Sequence, residues 1–180
     1  MSGATPARVL IVTAAVALMA GLTTLPAAAD TDDTDGTVVV TGGALRITAP
    51  GDAGVLGERG FNTTSGTVRG SLGRVKVTDN RGAAPGSGWV ASVVSTSLQG
   101  PGKSTIPAAT VGYAVGKISR LGRATYRAHD PGDISELVPV VTATDVSGDN
   151  TATWNPTIAV RVPGGTRAGS YAITVTHSVI

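Results

Sequence analysis

The feature that most constrains this chain is the alternation near its C-terminal end. Tyr171, Ile173, Val175, His177 and Val179 occupy every second position, and Ala172, Thr174, Thr176 and Ser178 fall between them. A period of two sends successive side chains to opposite faces of a strand, so the first set turns to a core and the second to water. A helix cannot use that pattern, because neighbours on one helical face lie three and four residues apart. Just upstream, Ile158, Val160 and Val162 alternate with Ala159 and Arg161 until Pro163-Gly164-Gly165 closes the segment. Two such runs joined by a Gly-rich loop predict neighbouring antiparallel strands.

Weaker strand segments are read at residues 37–41, 44–48, 72–78, 89–98, 110–115 and 137–144, with Leu45 and Ile47 inward and Arg46 outward. The chain has 25 Gly and 10 Pro, and these break it into short pieces with turn signals about every 8 to 12 residues. Almost no stretch keeps a helical period. Residues 120–129 read either as an irregular strand or as a short helix. The expected fold is all-β, an Ig-like antiparallel β-sandwich of about eight or nine strands, with a closed barrel as the rival arrangement.

The opening residues point to a compartment. Arg8 is the sole charge before the uncharged run from Val9 to Leu22, and Pro26 precedes Ala27-Ala28-Ala29 and Asp30. A basic start, an apolar stretch and small residues before a cleavage point make residues 1–29 a secretory signal peptide. The rival reading is a membrane anchor, but a spanning helix needs roughly 20 apolar residues, and Thr13, Gly21 and Pro26 interrupt this one. A lipid anchor would need a cysteine, and the chain has none. Residues 30–36, DTDDTDG, form an acidic linker too polar to pack, and residues 37–180 form the sandwich domain.

A domain of that size buries roughly two-thirds of its unfolded surface and needs no disulfide. Absence of cysteine also argues against small stapled scaffolds and removes thiolate metal sites and thiol catalysis. Net charge is +2, falling to +1 without Arg8, so the sequence pI of 9.3 reflects near balance. Nucleic acid is therefore not an expected partner. The end at Ser178-Val179-Ile180 carries neither a sorting motif nor a second apolar span. The expected location is extracellular, at the cell surface, with no membrane span after signal cleavage.

No catalytic residue stands out. Acyl transfer needs a nucleophile beside a base, and His129 and His177 are the two histidines. His129, in His129-Asp130-Pro131-Gly132, reads as a solvated turn residue. Periodicity puts His177 on the apolar face of the last strand, where it is a core residue, a binding contact or a metal ligand. The Asp residues of DTDDTDG lack the ligand order of an EF-hand loop, which closes on Glu. Asp130, Asp133 and Glu136 read as loop charges, and among the 12 acidic residues nothing selects a hydrolytic pair. No cofactor or metal is expected.

Sugar recognition favours exposed aromatic faces, and the chain has one Phe, two Trp and three Tyr. Trp89 opens a strand after a Gly-rich loop and Trp154 precedes Pro156 near a strand end, so each is a core residue or a ligand-facing one. Lys117, Arg120, Arg123 and Arg127 form a basic segment without intervening acids. It reads as a solvated face, or as a patch that attracts phosphate-rich wall polymers.

The stretch from Gly73 through Arg74-Val75-Lys76-Val77-Thr78-Asp79-Asn80-Arg81-Gly82 to Gly88-Trp89 resembles the V-x-V-T-D-x-R-G … G-W stretch of WxL-type cell-surface domains of Gram-positive bacteria. Ile106-Pro107-Ala108 before Val111-Gly112-Tyr113 is similar to that family's middle segment. Val162-Pro163, Ala168-Gly169-Ser170-Tyr171 and Val175-Thr176 are similar to its end. Two positions depart from the pattern. Trp89-Val90-Ala91 carries Ala where the first motif has Leu, and His177 and Val179 stand where the second motif has Trp and Leu.

The resemblance implies a secreted sandwich that attaches non-covalently to the cell wall through peptidoglycan or anionic wall polymers, with other surface proteins as further partners. The candidate surface consists of Trp89, Trp154, Tyr171, Thr176, His177 and Val179. A free secreted binding or structural module without wall affinity is the alternative. Ala27 and Ala29 occupy the small-residue positions of the cleavage site, so intact-mass spectrometry of the exported protein should show Asp30 as its first residue. A product retaining Arg8 would overturn the signal-peptide reading.

Overall fold

The computed structural model describes Val38, residues 42–60 and residues 63–180. The expected signal peptide and acidic linker lie outside the described residues, as does the strand expected at 37–41 apart from Val38. Every element below belongs to one compact unit, residues 40–180. Among the described residues the regular structure is ten strands and two short 3-10 turns. No helix there is long and apolar enough to cross a membrane.

The strands are β1 (Leu45–Thr48), β2 (Gly66–Ser71), β3 (Val75–Ser95), β4 (Leu98–Gln99), β5 (Thr105–Ile106), β6 (Val111–Ala114), β7 (Ser119–Ala128), β8 (Val138–Trp154), β9 (Thr157–Val162) and β10 (Val175–Val179). A five-stranded sheet runs β1-β3-β8-β7, with β10 also on β3, while β2-β9-β6 form a three-stranded sheet and β4-β5 a small ribbon. All pairs are antiparallel. The fold is an all-β sandwich. Val75, Val77, Val93 and Val141 of the larger sheet share one core with Val111, Tyr113, Ile158 and Val160 of the smaller one.

The period-two reading holds where a strand has one dry face. In β1, Leu45 and Ile47 are half-buried and Arg46 is exposed. In β9, Ile158 and Val160 are buried while Arg161 is exposed. Residues 120–129, whose pattern fits either a strand or a helix, are mostly β7.

The structure departs from the expectations at several places. The two C-terminal runs are not neighbours: β9 pairs with β2 and β6, whereas β10 pairs with β3. The loop after Val162 carries the chain from one sheet to the other rather than closing a hairpin. The tip of a sandwich offers both routes, and local alternation cannot distinguish them. Ile173 and Val175 are accordingly half-buried at the margin of the core rather than inside it.

The segments expected at 72–78 and 89–98 belong largely to one strand, β3, of 21 residues. Its middle, NRGAAPGSG, looks like a loop by composition. There the ladder with β8 continues through irregular pairs, Ala83 opposite Gly148 and Ser87 opposite Val146. Gly82 (φ 61°) and Gly86 (φ 87°) supply the left-handed backbone of the bend, which glycine adopts without a Cβ clash. The partner β8 likewise runs past the expected 137–144 to Trp154. Finally, β2 was unforeseen, because Gly66-Thr67-Val68-Arg69-Gly70-Ser71 holds a single large apolar side chain.

Ile158 has no exposed surface and sits in the central strand of the smaller sheet. Ile158→Ala should lower the unfolding free energy by about 2–5 kcal/mol. Leu121→Ala, at a side chain 75% exposed, should stay within about 0.5 kcal/mol. Urea unfolding of both variants measures the contrast.

Candidate functional site

Two polar clusters and one cleft hold the residues singled out from the sequence. The first cluster sits at the bend of β3. Asp79 has no exposed surface, and a buried carboxylate must be paired and hydrogen-bonded. Arg81, two residues on, donates to it from Nε (2.8 Å) and from its second guanidinium nitrogen (2.9 Å), and its backbone N–H donates at 3.1 Å. Asn150 Nδ2, on β8, donates at 3.3 Å. The Arg81 hydrogen bonds, foremost the side-chain ones, hold the Asp79 carboxyl below the usual carboxylate range.

Asn150 then passes the network on. Its Oδ1 accepts from Trp89 Nε1 and from the Tyr126 hydroxyl, each at 3.1 Å. Arg81 also reaches the Gly88 carbonyl at 3.2 Å. Asp79, Arg81, Gly88 and Trp89 thus meet Asn150 and Tyr126 in one knot that ties both arms of β3 to β7 and β8. Asp79, Asn150 and Tyr126 were not foreseen as partners. Asp79 and Asn150 are 71 residues apart, and no local pattern joins them.

The second cluster links the sheets. Trp154 Nε1, at the end of β8, donates to the Tyr113 hydroxyl on β6 at 2.9 Å, and that hydroxyl lies 3.2 Å from His177 Nε2 on β10. The Tyr113 and His177 rings meet edge to face, with centroids 5.8 Å apart. Tyr113 oxygen already accepts from Trp154, so its own proton is paired only if it donates to His177 Nε2. That arrangement makes His177 neutral, with its proton on Nδ1. Burial raises the Tyr113 phenol well above its ordinary value and lowers the His177 imidazole below its own.

A cleft of about 850 Å³ opens beside β10, flanked by residues 49–60 and 163–174. Val68, Leu72, Val160 and Val175 line it together with Tyr171 and His177, and Asp52, Glu58, Arg59 and Arg167 add charged groups to the lining. The Tyr171 hydroxyl is held by Ser104 Oγ at 2.8 Å and donates to the Arg167 carbonyl at 2.9 Å.

The six candidate residues are therefore separated. Tyr171 and His177 line the cleft, Val179 is half-buried on the same side of β10, and Thr176 is exposed on the other. Trp89 and Trp154 are each 2% exposed, and neither ring offers a face to solvent. Both are occupied with core packing and with the hydrogen bonds above.

His129 is half-buried, with Nε2 3.1 Å from Thr142 Oγ1, rather than a free turn residue. Asp130 accepts from the Val115 amide and Asp133 from the Ser135 amide, both within the loop that connects β7 to β8 or at its edge. No group of three His, Cys, Asp or Glu side chains gathers for a metal among the described residues. Comparison with known proteins finds no matching family model and no matching curated relative.

His177 gives this region a pH dependence. Its folded pKa lies below the unfolded value of about 6.5, so the unfolded chain binds the proton first. Its contribution is complete above that pH and is lost as the pH falls through the folded pKa. Thermal melts should show stability declining below about pH 6.5. In His177→Phe that decline should be absent, leaving only the carboxylate titrations at lower pH.

Proposed function

We propose that this chain is a secreted, non-catalytic surface protein that associates non-covalently with the bacterial cell wall through the cleft beside β10. The observation that supports this reading is the meeting of Tyr171 and His177 at an open cleft whose lining mixes aliphatic and polar side chains. Binding sites for small ligands are concave, mostly apolar and roughly 300–1,000 Å³ in volume, and this cleft is within that range. These two residues belong to the stretch that resembles the closing motif of WxL-type domains. The cleft presents an aliphatic patch, the Tyr171 ring, the His177 imidazole and the charged residues Asp52, Glu58, Arg59 and Arg167, while the Tyr171 hydroxyl is engaged by Ser104 and the Arg167 carbonyl. That set suits a ligand with an apolar face and several polar groups, such as an N-acetylated glycan or its peptide stem.

The enclosed tryptophans favour the second reading, a free secreted module without wall affinity. Carbohydrate recognition gains from flat aromatic faces, and here the two largest are within the core. Co-sedimentation with purified cell walls separates the two. His177→Trp, which restores the aromatic of the resembling motif, should increase the retained fraction, and His177→Phe should change it less. If wild type and His177→Trp, both shown to be folded, stay in the supernatant, the wall-binding reading fails and the free module stands.

A further inference from the structure

The strand β7 combines two features that neither the sandwich core nor the cleft accounts for. It ends the β1-β3-β8-β7 order, so among the described residues its outer backbone edge pairs with no other strand. It also carries Arg120, Arg123 and Arg127, all exposed, with Lys117 just before it, also exposed. Among the described residues the single ion pair is Arg81 with Asp79, so none of these four cations is neutralised by a carboxylate. The nearest acidic residues on β8 are turned elsewhere: Asp145 accepts from Thr144 Oγ1 and Asp149 from the Gly82 amide.

We propose that the outer edge of β7 is a docking strand for an extended acidic polypeptide, which adds to the five-stranded sheet by backbone pairing. The pairing pattern says which groups would serve. His129 N–H donates to the Val140 carbonyl at 2.8 Å, and in an antiparallel ladder bonded residues alternate. Arg127 and Thr125 therefore face β8, while the N–H and C=O of Tyr126 and Ala128 point outward. Strand addition uses such groups for affinity and flanking side chains for selection.

The cations select the charge of the partner. A second copy of β7 is disfavoured, because its arginines would meet their own kind. A strand bearing Asp or Glu at alternate positions would place carboxylates beside Arg123 and Arg127, where guanidinium groups can grip them by two hydrogen bonds. Beside Tyr126, a shallow hollow bounded by Lys117, Ile118 and Arg120 has room for one more acidic side chain. Leu121, 75% exposed on this strand, supplies an apolar contact.

A phosphate-rich polymer would meet the same charges. It has no row of N–H and C=O groups, however, and would leave the outer edge of β7 unpaired. The free edge therefore favours polypeptide over polyphosphate.

The test uses the full chain and a blocked ten-residue peptide of alternating Glu and Val, with binding measured by fluorescence anisotropy. The expected result is saturable binding at low salt that weakens as salt is added. The Lys-Val counterpart should not bind. Two further peptides carry N-methyl groups on every Glu or on every Val. One of them should bind at least about tenfold more weakly than the parent, because one set of amides must face β7.

Arg123→Glu/Arg127→Glu should weaken the parent peptide by about tenfold or more with an unchanged melting temperature. If charge reversal disturbs folding, Arg123→Gln/Arg127→Gln replaces it. Absence of binding overturns the proposal, as does equal binding of the Lys-Val peptide or an unchanged affinity in the folded arginine variant. If both methylated peptides bind like the parent, or poly(glycerol phosphate) binds more tightly, the surface is a polyanion patch and not a docking strand.

Discussion

The buried carboxylate of Asp79 is the constraint from which much of the architecture follows. A charge with no exposed surface is tolerable only where its partners are fixed, because an uncompensated buried carboxylate is costly. Arg81 supplies three of the donors from only two residues away, which requires the backbone to turn just there. The turn is the start of the bend in β3. Asn150 then couples the bend to β8, and through Trp89 and Tyr126 to the far arm of β3 and to β7. A strand of 21 residues can thus change direction without losing its place in the sheet.

The chain Trp154–Tyr113–His177 plays the complementary part between sheets. Hydrophobic contact alone would hold the two layers together but would leave their relative position loosely specified. A hydroxyl that accepts from one sheet's indole and donates to another strand's imidazole fixes it in direction as well as distance. No buried side-chain nitrogen or oxygen among the described residues lacks a partner, so these polar links carry no uncompensated burial. His177 is the outermost member and stands at the wall of the cleft. Any change in its protonation acts on a hydrogen bond that reaches the core, and this links the stability of the sandwich to the state of its open side.

The two edges of the larger sheet are unlike. On one, β1 and β10 lie along β3, and β10 borders the cleft with valines and a histidine, whereas β7 on the other has arginines and, among the described residues, an unpaired outer backbone. Isolated cations on a surface contribute little to stability, and on a sheet edge they guard against pairing with a second copy of the same strand. The β7 edge has the character of a surface kept for a partner of opposite charge.

Much of the fold was legible in the residues themselves. β1, β6 and β9 follow segments in which apolar and polar side chains alternate or β-branched residues cluster, and the sidedness of Val175, His177 and Val179 against Thr176 came from periodicity alone. β2 was invisible because six residues with one valine carry no periodic signal, and the bend of β3 was hidden because its composition is that of a loop. By itself the sequence determined that the chain would form strands and which way their side chains would alternate, since both depend on neighbours along the chain. Only the tertiary structure decided that β10 pairs with β3 rather than β9, that both tryptophans turn inward, and that Asp79 finds Asn150 and Tyr113 finds His177. Those choices rest on contacts between residues 64 and 71 positions apart, where cross-strand geometry and the need to pair every buried polar group, not local pattern, select the partner.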